Sequence, residues 1–520
     1  MTSKKFLVKA AFWVMVATLG SRLLGFLREV QLAYYFGLSP MRGAFTVAFK
    51  IPNLIRLLVA DAAMSAAFIP VLAEYLSKEN KEEAWKISSQ LMTLTFIVLT
   101  TIVLICEFFM PTVIRITSPG FTKDPDLFYH TVQLSRVIFP IITILGISGV
   151  VMGILHSMKH FTFPAIAPIF WNIINLLALY LFYQQGGIYA AAWGVLVATF
   201  VQLLIQHLGF LKVPFRHTIS FFPLHPAIKH IGLLMIPVTL SIGVINFNAL
   251  VGNFFASLLG PAEVAAIDSA FRLFQLPQGM FAVAIGTVLF PVLSTANVAK
   301  QMDHFAKILE TGLRQISFLT LPFTGWFVAL SLPISRLCFE RGNFTAKDSQ
   351  MVAWALLFYS IGMSFTSVNT LFNRGFYSLK KTWLPLHLSI LNILLNILLT
   401  WLFLHPLRHG GICLAVSLVS IVNFFGLCYF MKREVPQFKI KPILFSFLKA
   451  SMLTFFLSLT SYFTWQILDQ EMGRSLWAQT LSLLSGFTTG GIVYLALGYL
   501  FRFQEIEEGL ILFKREKRGV

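Results

Sequence analysis

The chain has 520 residues, 57% of them hydrophobic and 12% charged, with a formal net charge of +18. A soluble domain carries about 25% charged residues, so this composition excludes a string of soluble domains and predicts a polytopic membrane protein. The basic residues recur in short tracts between apolar segments, with no basic stripe interleaved with aromatics, which argues against a nucleic-acid surface.

A helix needs about 20 residues to cross the hydrocarbon. In chain order that rule yields fourteen candidate spans: 10–36, 43–76, 87–111, 131–156, 163–184, 188–211, 230–258, 264–295, 312–334, 349–377, 383–405, 410–431, 444–468 and 477–501. The start resembles a signal peptide, with Lys4 and Lys5 before "AAFWVMVATLG". Arg22 and Arg28 follow at once, and no small-x-small cleavage site precedes them, so an uncleaved first span is expected. The 53 Phe residues suit lipid-facing and packing surfaces. Cys106, Cys338, Cys413 and Cys428 show no CxxC or Cys/His spacing and read as packing residues.

With the N-terminus in the cytoplasm, Lys78, Lys81, Lys159, Lys212, Lys380, Lys381, Lys432, Arg433 and the basic tail fall on that side. Arg42, Arg115, Lys123, Arg336, Arg341, Lys347, Arg408 and Arg474 fall on the other. This bias obeys the positive-inside rule, and a missed span would invert every later loop. Both termini are therefore expected in the cytoplasm. Most of the net charge then orients the protein and touches anionic headgroups.

The chain also repeats itself with an offset of 221 residues. "SMKHFTFP" at Ser157–Pro164 matches "SLKKTWLP" at Ser378–Pro385, Asn175 falls on Asn396, and Pro70 falls on Pro291. "GGI" at Gly186 recurs at Gly410 after a small shift in register. The repeat pairs spans 1–6 with spans 7–12. Six is even, so the two units should be parallel about an axis along the membrane normal. The expected organisation is a six-helix bundle in 1–220, a second in 221–440, and two added helices with a basic tail in 441–520.

Charges within the spans carry the functional information. Those singled out are Arg22, Arg28, Glu29, Lys50, Arg56, Asp61, Asp268 and Arg272, all in spans 1, 2 and 8; span 7 has Asn246, Asn248 and Asn253 instead. Even low estimates put a lipid-facing arginine at about 2.5–3.5 kcal/mol, so such residues face a bundle interior or a watery cavity. At about 100° per residue, Arg22 and Glu29 share a face, as do Lys50 and Asp61; Asp268 and Arg272, four apart, can pair within one helix. Buried ion pairs could account for some of these groups, but five cations face three anions. A polyanionic ligand would resolve the surplus, and arginine's planar fork suits phosphate. Catalysis lacks a nucleophile–base pair, a metal-ligand cluster or a Gly-rich phosphate loop, and His387 reads as a packed or hydrogen-bonded histidine.

"SRLLGFLRE", then "FG", then "AFTVAFKIPNLIRLLVADAAMSAAFIPVLAEY" resembles the signature of the MurJ (MviN) proteins, and "FRLFQLPQGMFAVAIGTVLFPVLS" in span 8 agrees. The resemblance covers nearly the whole chain. It implies an all-α membrane protein of fourteen helices in the multidrug/oligosaccharidyl-lipid/polysaccharide exporter superfamily. The implied activity is that of a lipid II flippase, a transporter rather than an enzyme. It would carry the undecaprenyl-diphosphate-linked peptidoglycan precursor from the cytoplasmic to the outer leaflet of the bacterial inner membrane by alternating access. The family's cavity arginines match Arg22, Arg28, Arg56 and Arg272. Glu29, Lys50, Asp61 and Asp268 would supply supporting charge. Spans 13 and 14 resemble the pair said to form a groove for the lipid tail.

This chain departs from the family pattern at Gly43, Leu57, Phe271 and Gln275. A sodium site found in some members uses an acid in span 7 and an Asn/Asp pair in span 11; here span 7 has asparagines and span 11 offers Asn392 and Asn396. No metal and no cofactor are expected. The expected partners are lipid II, membrane lipids and the cell-wall synthesis machinery, with no nucleic acid. The alternatives are a related exporter of another polyprenyl-linked saccharide or of small molecules, a membrane glycosyltransferase, and a structural scaffold. The short loops disfavour the glycosyltransferase, and the buried charges disfavour the scaffold.

Overall fold

The structure is a computed structural model that describes residues 4–56, 68–78, 80–213, 215, 223–473, 475–503 and 505. The described residues fold as helices joined by short turns, as a bilayer requires: a backbone N–H or C=O without a partner costs several kcal/mol in hydrocarbon, and a helix satisfies them locally. Helices fall on all fourteen predicted stretches. Among the described residues nine are long and apolar enough to cross a membrane, or up to eleven if each of two bent pairs is one span. The expected count of fourteen is compatible with this.

By packing, the chain divides into two units, Met1–Ala265 and Ala266–Val520. The first holds α1 (Lys4–Phe36), α2 (Pro40–Arg56), α3 (Ile69–Ser77), α4 (Lys81–Phe108), α5 (Met110–Thr117), α6 (Pro125–Ile138), α7 (Ile141–Ser157), α8 (Thr162–Gly186), α9 (Ile188–His207) and α10 (Pro226–Leu259). Its core joins Phe68 and Leu72 to Trp85, Ile87 and Leu91 of α4 and to Val150, Ile154 and Leu155 of α7. The second unit contains most of α11 (Pro261–Val298), then α12 (Met302–Ala329), α13 (Ser331–Phe339), α14 (Ala346–Ile361), α15 (Met363–Ser378), α16 (Trp383–Leu407), α17 (His409–Glu434), α18 (Ile440–Met472) and α19 (Leu476–Leu500). Its core gathers Phe305, Leu309 and Leu313 of α12, Phe372 and Phe376 of α15, and Phe424, Leu427 and Met431 of α17.

The internal repeat reappears in the element boundaries. Adding 221 to the ends of α4 gives those of α12, and the same shift takes α8 onto α16. Turn chemistry follows the same rule. Lys159 and Lys380 end α7 and α15 in the left-handed region, with φ of 62° and 61°. Asp124 caps α6 by accepting from the backbone N–H groups of Asp126 and Leu127. Thr345, its mate 221 residues on, caps α14 in a reciprocal box with Asp348.

One sequence match changes register. The turn at Gly187, φ 51° and ψ −131°, has its equal at Arg408, also φ 51° and ψ −131°. The 221 offset is therefore kept, and the second "GGI" lies inside α17 rather than at the turn. There Gly411 packs against the Phe403 carbonyl, where a Cβ would collide.

The bends have identifiable causes. Helices α14 and α15 meet at 48°. Gly362 sits at the break, and a Cβ there would lie 2.5 Å from Cα of Ser417. The Ser417 hydroxyl donates to the carbonyls of Phe358 (2.6 Å) and Tyr359 (3.1 Å), the latter also accepting from the Gly362 N–H (3.2 Å), and so braces the break. Helices α12 and α13 meet at 82° beside Leu330.

The added helices pack through small residues. Gly486 and Gly490 of α19 lie against Ser461 and Leu457 of α18, and Gly325 of α12 lies against Thr454 and Ser458. Small residues let helix backbones approach closely where lipid supplies no hydrophobic drive.

Gly120, after α5, packs against the backbone carbonyl of Ser257 in α10. Backbone cannot rotate away as a side chain can, so Gly120→Ala should destabilise by about 1–3 kcal/mol through overpacking. Gly232 in α10 has open space around it, so Gly232→Ala should be neutral or stabilising by up to about 1 kcal/mol. Thermal melting of the two purified variants in one detergent checks both expectations.

Candidate substrate-binding site

Arg28 and Glu29 lie three-quarters of the way along α1, where it packs on α8. The Arg28 side chain is only 12% exposed, and its Nη2 donates to Glu29 Oε1 at 2.8 Å. The guanidinium lies over the indole of Trp171, 4.7 Å from the ring centroid. Trp171 is in turn held by its Nε1–H, which donates to Thr199 Oγ1 of α9 at 3.0 Å. Carboxylate below and ring face beside it are two of the surroundings that stabilise a buried guanidinium. Arg28 Nε is buried without a hydrogen-bond partner among the described residues. This arginine thus retains donor capacity after its own acid has been satisfied.

The pairing differs from the face argument. Arg22 and Glu29 share a helical face by angle, yet Arg22 is exposed and Glu29 is 5% exposed and bonded to its neighbour Arg28. Seven residues carry a helix about 10 Å along its axis, so one face meets different surroundings. Near Arg22, Asn172 of α8 donates to the Ser21 carbonyl (3.1 Å) and hydroxyl (3.2 Å).

Lys50 of α2 donates to Asn253 Oδ1 of α10 at 3.2 Å. Asn253, 2% exposed, donates in turn to the Thr117 carbonyl (3.1 Å) and Ser118 Oγ (2.9 Å). One of the three asparagines of span 7 is therefore a junction between α2, α5 and α10. The expected Lys50–Asp61 pairing involves Asp61, which lies outside the described residues. Arg56 ends α2, and its side chain also lies outside them.

In the second unit, Arg272 Nε stands 3.5 Å from Asp268 Oδ2, as the spacing of four predicts. The side chains remain 33% and 20% exposed, so this is a loose pair of modest strength. Phe271 and Phe274 stack beside it and tilt onto Tyr359 of α14, which packs the helix on one side of the charges.

Other charges lie in the spans and were missed when spans 1, 2 and 8 were read as their only hosts. Glu107 of α4 lies 4.0 Å from Arg136 of α6. Arg314 of α12 pairs with Glu505 at 2.8 Å. Arg374 of α15 donates from Nη1 to Thr287 Oγ1 of α11 at 2.9 Å and covers Gly286, where a Cβ would meet its side chain at 3.1 Å. The rule that found the first set applies equally to spans 3, 4, 9 and 10. Arg42, assigned to an outer loop, is 3% exposed and donates to the Gly37 carbonyl at 2.8 Å; it staples the α1–α2 turn. His387 is exposed and not packed, with its ring 6.3 Å from that of Trp383. Trp171 had no sequence signal, because an aromatic in an apolar helix is indistinguishable from lipid-facing bulk.

The asparagines of span 11 serve packing. Asn392 donates to Asn423 Oδ1 of α17 at 2.9 Å, and Asn396 is buried and accepts from Thr400 at 3.4 Å.

Comparison with known proteins places this arrangement. The family described as "Lipid II flippase MurJ" matches residues 32–481. A protein of Buchnera aphidicola subsp. Schizaphis graminum named "Probable lipid II flippase MurJ" is 31% identical over 511 residues, covering 95% of this chain and 97% of its own. One of Rhizobium tropici with the same name is 33% identical over 424 residues, covering 80% and 79%. Among solved structures, "Lipid II flippase MurJ, inward closed conformation" matches with a TM-score of 0.78 and 25% identity over 94% of this chain and 98% of that one. An inward-facing multidrug resistance MATE transporter of the MOP superfamily shares the fold, with a TM-score of 0.70 and 16% identity over 80% and 95%. With most of its length matched by that family, and with arginines held inside its helices, the chain belongs to the MurJ lipid II flippase family.

Proposed function

We propose that this protein is a lipid II flippase, which moves the undecaprenyl-diphosphate-linked peptidoglycan precursor from the cytoplasmic to the outer leaflet by alternating access. It is a transporter and makes or breaks no covalent bond. The observation that carries the reading is Arg28, buried against Trp171 and neutralised by Glu29 yet with guanidinium donor capacity left over. A diphosphate supplies acceptors for such donors, and binding there would replace water lost on entering a low-dielectric site.

In this reading Arg28, Arg56 and Arg272 bind the diphosphate, Arg22 assists, and Glu29, Lys50, Asp61 and Asp268 balance charge while the site is empty. The working parts are the two repeats, 1–220 and 221–440, with 441–520 alongside the isoprenoid tail. The protein resides in the bacterial cytoplasmic membrane with both termini in the cytoplasm, and the cell-wall synthesis machinery consumes what it delivers. An anionic diphosphate moves outward, away from a negative interior, so the potential assists by about 2.3 kcal/mol per charge per 100 mV.

Arg28→Ala should reduce lipid II flipping at least about tenfold, the effect of losing some 1.4 kcal/mol of anion binding. Arg28→Lys should restore only part, since an ammonium lacks the fork. Flipping assays in proteoliposomes with matched protein content check this, and normal flipping by Arg28→Ala would overturn the assignment. Collapsing an inside-negative potential with an ionophore should slow flipping by wild-type protein; an unchanged rate would remove the potential as a driving force. For topology, single cysteines replacing Lys123 and Lys300 should label with an impermeant maleimide from outside and inside the cell respectively.

A further inference from the structure

Three elements of the second unit converge beside the start of α18. Glu505 follows α19 and folds back, with its side chain 5% exposed. Its Oε1 accepts from Arg314 Nε of α12 (2.9 Å) and from Ser446 Oγ of α18 (2.9 Å). Phe503, two residues before it, is 5% exposed and packs on Phe318 of α12 with ring centroids 5.7 Å apart. Tyr494 of α19 ties the same place down by donating to the Phe318 carbonyl at 2.9 Å. Phe503 and Glu505 are thus fastened to α12 and α18 by a buried ion pair and a buried ring.

Lys449 sits on the outer side of this fastening. Its ammonium lies 4.4 Å from the ring centroid of Phe445 and 5.9 Å from that of Phe503. No carboxylate lies within ion-pair distance of it among the described residues, and Arg314, the other cation of the cluster, is answered by Glu505. The face that carries Lys449 is otherwise apolar and exposed, with Phe445 at 60%, Leu448 at 70%, Met452 at 56% and Phe455 at 63%. Exposed apolar side chains at helical spacing on a membrane helix face acyl chains.

Depth then selects the ligand. Lys449 is eight residues beyond Lys441, about 12 Å along the helix. The headgroup layer is about 5–8 Å thick on each side. An ammonium on a four-carbon stem reaches back from that depth to the level of lipid phosphates.

We propose that Lys449, ringed by Phe445 and Phe503, is a binding site for the phosphodiester of an anionic phospholipid of the phosphatidylglycerol class. The charge count favours this occupant: one ammonium answers one phosphodiester, whereas a diphosphate brings more negative charge than the cluster can balance. The ring faces of Phe445 and Phe503 hold the ammonium by cation–π attraction on the lipid side, and the Glu505 clasp holds Phe503 in place. The bound lipid would fill the outer surface of the α12–α18–α19 junction and hold the added helices to their repeat. The inference stands independently of the flippase reading.

The test is phosphatidylglycerol binding to the purified full chain in detergent, read by native mass spectrometry and by the lipid-dependent rise in melting temperature. Phosphatidylethanolamine and undecaprenyl diphosphate are the comparison lipids. Wild-type protein should prefer phosphatidylglycerol. Lys449→Gln should weaken that binding about fivefold, the effect of one lysine at a lipid surface. Lys449→Arg should retain it, and Phe503→Leu should lose part of it. Lys441→Gln removes the same charge from the same helix outside the aromatic ring and should change binding less than twofold. Wild-type affinity in Lys449→Gln overturns the proposal. So does an equal loss in Lys441→Gln, which would mean general attraction to a basic surface. Displacement of phosphatidylglycerol by lower concentrations of undecaprenyl diphosphate would reassign the position to the transported lipid and overturn it as well.

Discussion

Hydrocarbon offers no hydrogen-bond partner and almost no dielectric screening, and every feature of this chain answers to that. Backbone groups close on themselves in helices, and where a helix breaks, a side chain adds a bond to its last carbonyls, as Ser417 does beside Gly362. Charges follow the same constraint. Arg28 is held by Glu29 and Trp171, Arg314 by Glu505, and Arg272 by Asp268. The arrangements differ in how completely they satisfy the cation. Arg314 gives two of its donors to one buried carboxylate that Ser446 also reaches, and it serves as a clasp. Arg28 keeps a buried Nε–H without a hydrogen-bond partner among the described residues.

The two repeats share turns rather than surfaces. Equal backbone angles at Gly187 and Arg408 show that the turn geometry survived where the residue changed, while Lys159 and Lys380 keep both residue and φ. The charges in spans 1 and 2 of the first repeat have no charged counterparts 221 residues on, where Gly243, Ala249, Leu250, Phe271, Pro277 and Ala282 stand. Span 7 carries asparagines at other positions, and Asn253 shows one use for them. An amide that both donates and accepts can join Lys50 to the backbone after α5, which a second cation could not do.

The added helices α18 and α19 are fastened by close glycine packing and by Phe503 and Glu505, so they belong mechanically to α12. They must stay attached to α12 while their outer faces remain apolar. Small residues at the inner contact and large ones outside meet both demands.

The all-helical class and the 221-residue repeat were legible from the chain alone, because each depends on hydrophobicity or period along the backbone. The Asp268–Arg272 pair was legible too, since one helical turn determines it. What the chain alone could not decide was which group answers which charge across helices. Glu29 serves Arg28 and not Arg22, Lys50 reaches Asn253, and Arg42 is buried rather than in a loop. Trp171, Phe503 and Glu505 acquired their roles only through packing. Those choices depend on which turns of which helices come together, and in a chain where nearly every helix is apolar all round, periodicity does not say which face meets a neighbour and which meets lipid.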